Sequence, residues 1–163
     1  AGVYSSQGTG ADDGRRGSSP GNGCSVIGIV IVAHGGLARE YLLAMEHVVG
    51  KLPAAEAVAI EAEADLRSKK EEVDAAVRAV DRGDGVVVVT DMFGSTPANL
   101  AVGACRKTTD RTVLYGANLP MLVKLAKERH RPLRDAVACA LTAGRKYINS
   151  VDGVGEKGIP VPI

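Results

Sequence analysis

The sequence predicts an α/β fold, with a mainly parallel, four-stranded, doubly wound sheet that carries helices on both faces. Two observations carry this prediction. Short runs rich in β-branched residues alternate with longer amphipathic stretches of helical period, which is typical of strand–helix units joined by right-handed crossovers. The chain has 163 residues, of which 45% are hydrophobic, so it is long enough to bury one core and we expect a single domain.

Four segments are expected to form the strands. The first, residues 26–33, is almost entirely aliphatic and mostly β-branched, which is typical of a strand buried on both faces of a parallel sheet. The other three are shorter apolar runs bounded by polar residues or glycine, at 57–60, 86–90 and 112–115.

Five amphipathic segments are expected to form helices, over residues 37–49, 65–81, 96–107, 119–131 and 133–148. The buried stripe of the first helix is expected to consist of Leu37, Tyr41, Met45 and Val48.

Two further expectations concern single residues of these helices. Leu66 is expected on the inner face of the second helix. Gly144 lies inside the last helix, and a glycine there marks a point where that helix could break.

Both ends of the chain differ from the middle in composition. Residues 1–25 are rich in glycine and serine with almost no apolar side chain, so we expect a disordered arm there. Residues 26–149 are expected to form the folded domain. The tail, 150–163, is rich in glycine and proline and is expected to be irregular or to add one C-terminal edge strand.

Composition excludes several classes of function. A net charge of +1 gives no general attraction to nucleic acid, and no apolar run approaches the roughly 20 residues that a membrane span needs. Cys24, Cys105 and Cys139 show no metal-ligand spacing. We therefore expect a cytoplasmic protein without a metal ion, with buried free thiols at Cys105 and Cys139.

Two predicted strands end in residues that suit phosphoryl chemistry. His34 follows the first strand and Asp91 the third, and ligands of open α/β sheets bind at the carboxyl ends of the strands. A carboxylate that accepts a hydrogen bond from one ring nitrogen fixes the tautomer and leaves the other nitrogen nucleophilic. His34 is therefore the candidate phosphoryl acceptor, and Asp91 the residue that orients it.

The turns after these strands form a candidate phosphate site. Gly35 leaves space beside the imidazole ring. Gly94, Ser95 and Thr96 lead into a helix whose free N–H groups and dipole attract an anion. We expect no cofactor, because the phosphoryl group would arrive already activated.

The residues alone also fit a structural interpretation. A histidine at a strand end is often simply hydrogen-bonded, and Asp91 would serve equally well as a helix cap. We interpret His47 as structural, and likewise His130, which lies between Arg129 and Arg131 in what we expect to be a solvated helix end. The first turn lacks both the acidic pair of a receiver domain and the G-x-G-x-x-G of a dinucleotide-binding fold.

Three segments, residues 27–35, 90–99 and 116–122, resemble the IIA domain of the mannose-type phosphoenolpyruvate:sugar phosphotransferase system. They occur in the order of the family, and the resemblance spans about residues 26–145.

The resemblance implies a phosphoryl carrier. His34 matches the residue that accepts the group from the histidine-containing phosphocarrier protein, Asp91 the carboxylate that orients it, and Ser95 and Thr96 the loop that holds the phosphate. The resemblance also implies transfer to a IIB component in sugar uptake, and a homodimer whose subunits often exchange a C-terminal strand.

Other functions stay open. Similar stand-alone proteins act in regulatory branches of the phosphotransferase system, where the phosphorylation state is read by a regulatory target. The phosphoryl-donor subunit of dihydroxyacetone kinase shares the fold, although its motifs after the histidine fit less well. A non-catalytic interaction module would need the polar strand ends only as helix caps.

Overall fold

The computed structural model describes residues 25–106 and 108–150. The predictions of a disordered arm and of an irregular tail or edge strand lie outside these residues, apart from residues 25 and 150, and so does Cys24. The described residues form four strands, which are β1 Gly28–His34, β2 Ala55–Ile60, β3 Val86–Thr90 and β4 Arg111–Tyr115.

Helices follow each strand in the described part of the chain. They are α1 Leu37–Val49, α2 Leu66–Val80, α3 Thr96–Cys105, α4 Leu119–Glu128 and α5 Leu133–Lys146. Within the part of the chain that the structure describes, none of them combines the length and the apolar character that crossing a bilayer requires.

The four strands form one parallel sheet in the order β2-β1-β3-β4. The register pairs His34 with Ile60 across β1 and β2, and Thr90 with both Val32 and Tyr115. All four carboxyl ends therefore lie at one edge, which we call the carboxyl edge. The predicted doubly wound α/β class is confirmed.

Alternating residues of the strands build two cores. Ile29 and Ile31 of β1 pack with α1, α4 and α5, whereas Val30 and Val32 pack with α2 and α3 on the opposite face. Strand side chains alternate between the faces of a sheet, so a run that is apolar at every position serves both cores. This is why β1 is buried along almost its whole length.

Helix boundaries agree with the prediction more closely than helix faces do. Leu37, Val48 and Leu66 were expected inside, and they are 46%, 52% and 56% exposed. Ala38 and Met45 are the fully buried residues of α1 instead. Leu37 and Leu66 are the first residues of their helices, and the predicted stripes were wrong at these two positions and at Val48.

The helix does not break at Gly144, where the sequence made a break possible, since α5 runs unbroken to Lys146. Gly144 serves helix packing instead. A Cβ atom built on it would lie 3.0 Å from the Cβ of Met121, and its carbonyl accepts a hydrogen bond from Asn118 Nδ2 at 3.3 Å. Glycine thus lets α5 approach α4 closely.

The prediction of a solvated helix end holds for His130 and Arg131, which are exposed, but is wrong for Arg129. Its side chain is buried, with 6% of the residue exposed. Its Nε and Nη2 donate to the carbonyl of Ile27 at 2.9 and 2.7 Å, and Nη2 also donates to the carbonyl of Ala54 at 2.9 Å. Burial, together with repulsion from Arg82, lowers the pKa of the Arg129 guanidinium. Ile27 and Ala54 directly precede β1 and β2, so Arg129 joins the amino ends of these strands, which lie at what we call the amino edge of the sheet.

The two described cysteines lie in different surroundings. Cys105 is a buried free thiol, as predicted, and burial raises its pKa to about 11. Cys139 is only half-buried, and its Sγ accepts a hydrogen bond from Nη1 of Arg131 at 3.4 Å. The expectation of a buried thiol at Cys139 was therefore wrong.

Candidate functional site

His34 and Asp91 meet at the carboxyl edge because their strands are neighbours. His34 is the last residue of β1, and Asp91 directly follows β3, which pairs with β1 in parallel register. The His34 side chain is 46% exposed and that of Asp91 12%. The imidazole is thus accessible while its carboxylate partner is sheltered beside it.

One oxygen of Asp91 holds both the backbone and the ring of His34. Oδ2 accepts a hydrogen bond from the His34 backbone N–H at 3.0 Å and lies 2.8 Å from His34 Nδ1. An ionised carboxylate can only accept, so Nδ1 carries the proton. In the neutral ring Nε2 then has the lone pair, and none of the described residues hydrogen-bonds to it.

The hydrogen bonds of Asp91 also favour its ionised form. Partial burial by itself pushes the pKa of Asp91 upward, but the hydrogen bonds from the His34 backbone and ring, with a further one from the Met92 N–H, outweigh it. The pKa of the carboxyl therefore lies below its ordinary value of 3.8. At neutral pH the ring faces a full negative charge.

Gly35 turns the chain away from the ring. It adopts a left-handed φ of +51°, and a Cβ atom built on it would meet nothing within 4 Å. Its N–H donates to the carbonyl of Ile60 at 2.9 Å, so the turn is tied to the end of β2. The space beside His34 stays open.

The Ser95 hydroxyl makes its hydrogen bonds within its own loop and the first turn of α3. Its hydroxyl donates to the Met92 carbonyl at 2.7 Å and accepts from the Ala98 N–H at 3.5 Å, so that it caps α3. Thr96, the first residue of α3, is exposed, and Gly94 reaches the cap through a φ of +75°. The N-terminus of α3 therefore lies at the carboxyl edge, and the exposed Thr96 places a hydroxyl group there.

Large apolar side chains surround the carboxyl edge, and the sequence patterns did not predict them. Met92 and Phe93, in the loop after β3, are 58% and 73% exposed, and Tyr115 at the end of β4 is 53% exposed. The rings of Phe93 and Tyr115 contact each other with their centroids 4.7 Å apart. A signal was present, since the chain has one phenylalanine and it lies two residues after Asp91.

The other polar candidates are not brought to this edge. His47 lies in the last turn of α1 and is exposed, and His130 is exposed in the turn between α4 and α5. The geometry singles out His34 and Asp91 as the paired groups.

Comparison with known proteins supplies the family context of this geometry. Residues 28–141 match the family model described as PTS system fructose IIA component. This range begins with β1 and ends inside α5, so it includes both edges of the sheet.

Two curated relatives carry related names. The mannose-specific EIIAB component of the PTS of Escherichia coli (strain K12) is 27% identical over 139 residues, which cover 83% of this chain and 43% of that protein. The sorbose-specific EIIA component of Lacticaseibacillus casei is 27% identical over 100 residues, or 60% of this chain and 70% of that one. The chain thus spans less than half the length of the Escherichia coli relative.

A solved structure shows the same architecture. The phosphotransferase system component EIIA from Streptococcus agalactiae superposes with a TM-score of 0.70 at 25% sequence identity, covering 77% of this chain and 98% of that one. The resemblance noted in the sequence is confirmed by the family match and by this superposition.

Proposed function

Because the chain belongs to the family of PTS system fructose IIA components, we propose that it is a phosphoryl carrier whose acceptor atom is Nε2 of His34. The donor is a histidine-containing phosphocarrier protein. The acceptor is a IIB component in sugar uptake or, in a regulatory branch, a target that reads the phosphorylation state. Membership of this family supports a role in phosphoryl transfer.

The observation that carries the proposal is the contact of 2.8 Å between His34 Nδ1 and Asp91 Oδ2. It keeps the proton on Nδ1 and directs the lone pair of Nε2 outward. In the transfer step, Nε2 forms a bond to phosphorus while the bond from phosphorus to the donor's ring nitrogen breaks. The donor nitrogen keeps that electron pair, and Asp91 stabilises the positive charge that develops on the His34 ring.

The phosphoryl oxygens have a place to bind beside His34. Gly35 leaves room for a tetrahedral group, and the turn from Gly94 through Ser95 to Thr96 presents backbone N–H groups and one free hydroxyl at the start of α3. The Ser95 hydroxyl shapes the loop, so we assign its share of the phosphate contact to its backbone. The transfer calls on no cofactor or metal ion, because the bond that breaks is already activated.

The apolar residues at the carboxyl edge support docking of a protein rather than of a small donor alone. Met92, Phe93 and Tyr115 are exposed around the site, and exposed apolar patches are typical of interaction surfaces. A partner that covers them would also exclude water from the phosphoryl group and hold its own imidazole in line with Nε2. With a net charge of +1, we expect no nucleic-acid partner.

We also propose that residues 26–149 are the carrier domain, that it works in the cytoplasm and that it forms a homodimer. Within the described residues, β4 is the last strand of the sheet on its side, and an unpaired strand edge invites pairing with another chain. The measurement is the mass in solution by sedimentation equilibrium. A monomer at every concentration would contradict the dimer and leave the carrier function unaffected.

The function is tested by phosphorylating the full chain with phosphoenolpyruvate, enzyme I and the phosphocarrier, followed by intact-mass measurement and peptide mapping. We expect one phosphoryl group, labile in acid and stable in alkali, on the peptide that contains His34. His34→Ala should abolish the label without changing the folded spectrum, because the site lies at an exposed edge. His130→Ala is the matched control and should keep full labelling.

A label that is sensitive to alkali or hydroxylamine would place the phosphoryl group on Asp91 and reject the proposal. Absence of any label on the folded wild-type chain would also reject it and would favour the interaction module.

A further inference from the structure

We propose that a groove between α4 and α5 binds an acidic amphipathic helix of a partner protein. This α4–α5 groove has a volume of about 590 Å³ and is open to solvent along the outer side of the two helices. It shares none of its lining residues with the His34 site, so the proposal goes beyond phosphoryl transfer and does not depend on it.

The floor of the groove suits another helix. α4 and α5 turn their most buried residues, such as Leu122 and Ala140, toward the sheet. Between the outer sides of the two helices lie Val123 and, one turn apart on α5, the small residues Ala138 and Thr142. Residues four apart lie on one face of a helix, and small side chains there allow a third helix to approach closely. An apolar groove between two helices is a common receptor for an amphipathic helix.

The charge of the groove selects the partner. Lys124, Lys127 and Lys146 line it and no acidic residue does. Lys124 is paired with Glu128 at 2.9 Å, whereas no described carboxylate lies within 4 Å of Lys127 or Lys146. The whole chain has a net charge of only +1, so this surface is a local excess of positive charge. Carboxylates of a partner would complement it.

The spacing of the lysines indicates the pattern of the partner helix. Lys124 and Lys127 lie three residues apart on α4, about one helical turn, and Lys146 faces the groove from α5. We infer a helix with acidic residues three or four apart along both rims and with alanine or leucine between them, toward the floor.

The thiols of the chain provide the readout. Cys139 lines the groove and is half-buried, whereas Cys105 is buried with its pKa raised to about 11 and serves as the internal reference. The full chain is treated with iodoacetamide in the presence of a synthetic helical peptide of leucine, alanine and glutamate, and peptide mapping gives the rate at each cysteine. A peptide with lysine in place of glutamate is the control.

We expect the glutamate peptide to slow alkylation of Cys139 by about fivefold or more at saturation, and the lysine peptide to have no effect. Replacing Lys127→Glu together with Lys146→Glu should weaken the apparent affinity by about tenfold or more, since opposite charges are replaced by like charges. Lys51→Glu, whose lysine is 89% exposed and lies outside the groove, should leave the affinity unchanged. Labelling of His34 should be normal in all variants.

Three results would overturn the proposal. They are unchanged alkylation of Cys139 with the glutamate peptide, equal protection by both peptides, and protection without peptide that increases with protein concentration. The last would assign the groove to a second copy of this chain.

Discussion

The two edges of the sheet are built in opposite ways. At the amino edge, buried Arg129 donates three hydrogen bonds to the carbonyls of Ile27 and Ala54. At the carboxyl edge, His34 keeps nearly half of its side chain exposed, and its Nε2 has no hydrogen-bond partner among the described residues. At the amino edge the polar side chain binds strand carbonyls, whereas at the carboxyl edge one ring nitrogen is left without a described hydrogen-bond partner.

Under the proposed function, stability and reactivity are placed at different ends of the same strands. Changes at the amino edge should lower the free energy of unfolding and leave phosphoryl transfer intact in the molecules that stay folded. Changes at the carboxyl edge should slow phosphoryl transfer and have less effect on the free energy of unfolding.

Arg129→Met should have the largest effect on stability. Methionine keeps much of the apolar stem but leaves two carbonyls without their guanidinium donors, which should cost about 2–4 kcal/mol. Urea unfolding followed by circular dichroism measures the cost. Arg131→Met, at an exposed arginine of the same turn that is paired with Glu128, is the control and should cost less than about 0.5 kcal/mol. Equal costs for the two variants would contradict the view that Arg129 closes the amino edge.

Replacing Gly28 in β1 or Gly35 in the turn after β1 with alanine should also lower stability more at the amino edge than at the carboxyl edge. A Cβ atom on Gly28 would lie 2.5 Å from the backbone oxygen of Val80, so Gly28→Ala should destabilise by about 2–3 kcal/mol. Gly35 has open space but a φ of +51°, so Gly35→Ala should cost only about 1 kcal/mol. Urea unfolding gives the loss of stability of both variants. A larger loss for Gly35→Ala than for Gly28→Ala would contradict the view that the amino edge is the crowded one.

Asp91→Asn should slow phosphorylation of His34 by about 10- to 100-fold, the range by which activity falls when a metal-bound histidine loses the carboxylate that orients it. Quench-flow labelling gives the rate. Asp84→Asn is the matched control at the amino edge, because Asp84 Oδ2 accepts a hydrogen bond from the Val26 N–H at 3.0 Å and takes no part in the site. If both variants were equally slow, the effect would come from the fold and not from the orientation of the ring.

The pH dependence of stability should show the smallest effect. Since hydrogen bonds hold the folded pKa of Asp91 below its ordinary value of 3.8, its ionised form stabilises the folded state above that value, and this contribution is lost as the pH falls through the folded pKa. The difference in unfolding free energy between wild type and Asp91→Asn should therefore be constant near neutral pH and shrink in acid. A difference that grows on acidification would mean that the folded pKa is raised.

Much of the fold could be predicted because its signals are local. The run of valines from Val86 to Val89 needs no partner to be recognised as a buried strand, and β3 has the predicted bounds. The buried face of a helix is harder to predict, since Leu37 and Leu66 follow the helical period but are exposed as the first residues of their helices. Periodicity reports which residues share a face and not where the neighbouring element ends.

The site was predictable in part for the same reason. His34 and Asp91 each lie at the end of a strand that can be predicted from its local sequence, and parallel sheets place such ends together. That one oxygen of Asp91 would hold both the backbone N–H and the ring of His34 depended on the register of β1 against β3. The hydrogen bond from the Ser95 hydroxyl to the Met92 carbonyl likewise depended on the conformation of the loop.

The sequence by itself determined the alternation of strands and helices, the parallel sheet and the two polar residues at its carboxyl edge, because each follows from patterns within a few residues. Tertiary structure alone decided that Arg129 is buried, that Cys139 is only half-buried and that α4 and α5 leave a lysine-lined groove. Those outcomes depend on contacts between residues far apart in the chain, such as Arg129 with Ile27, which are 102 positions apart. The residues near a given position in the sequence do not indicate which distant residues it will contact.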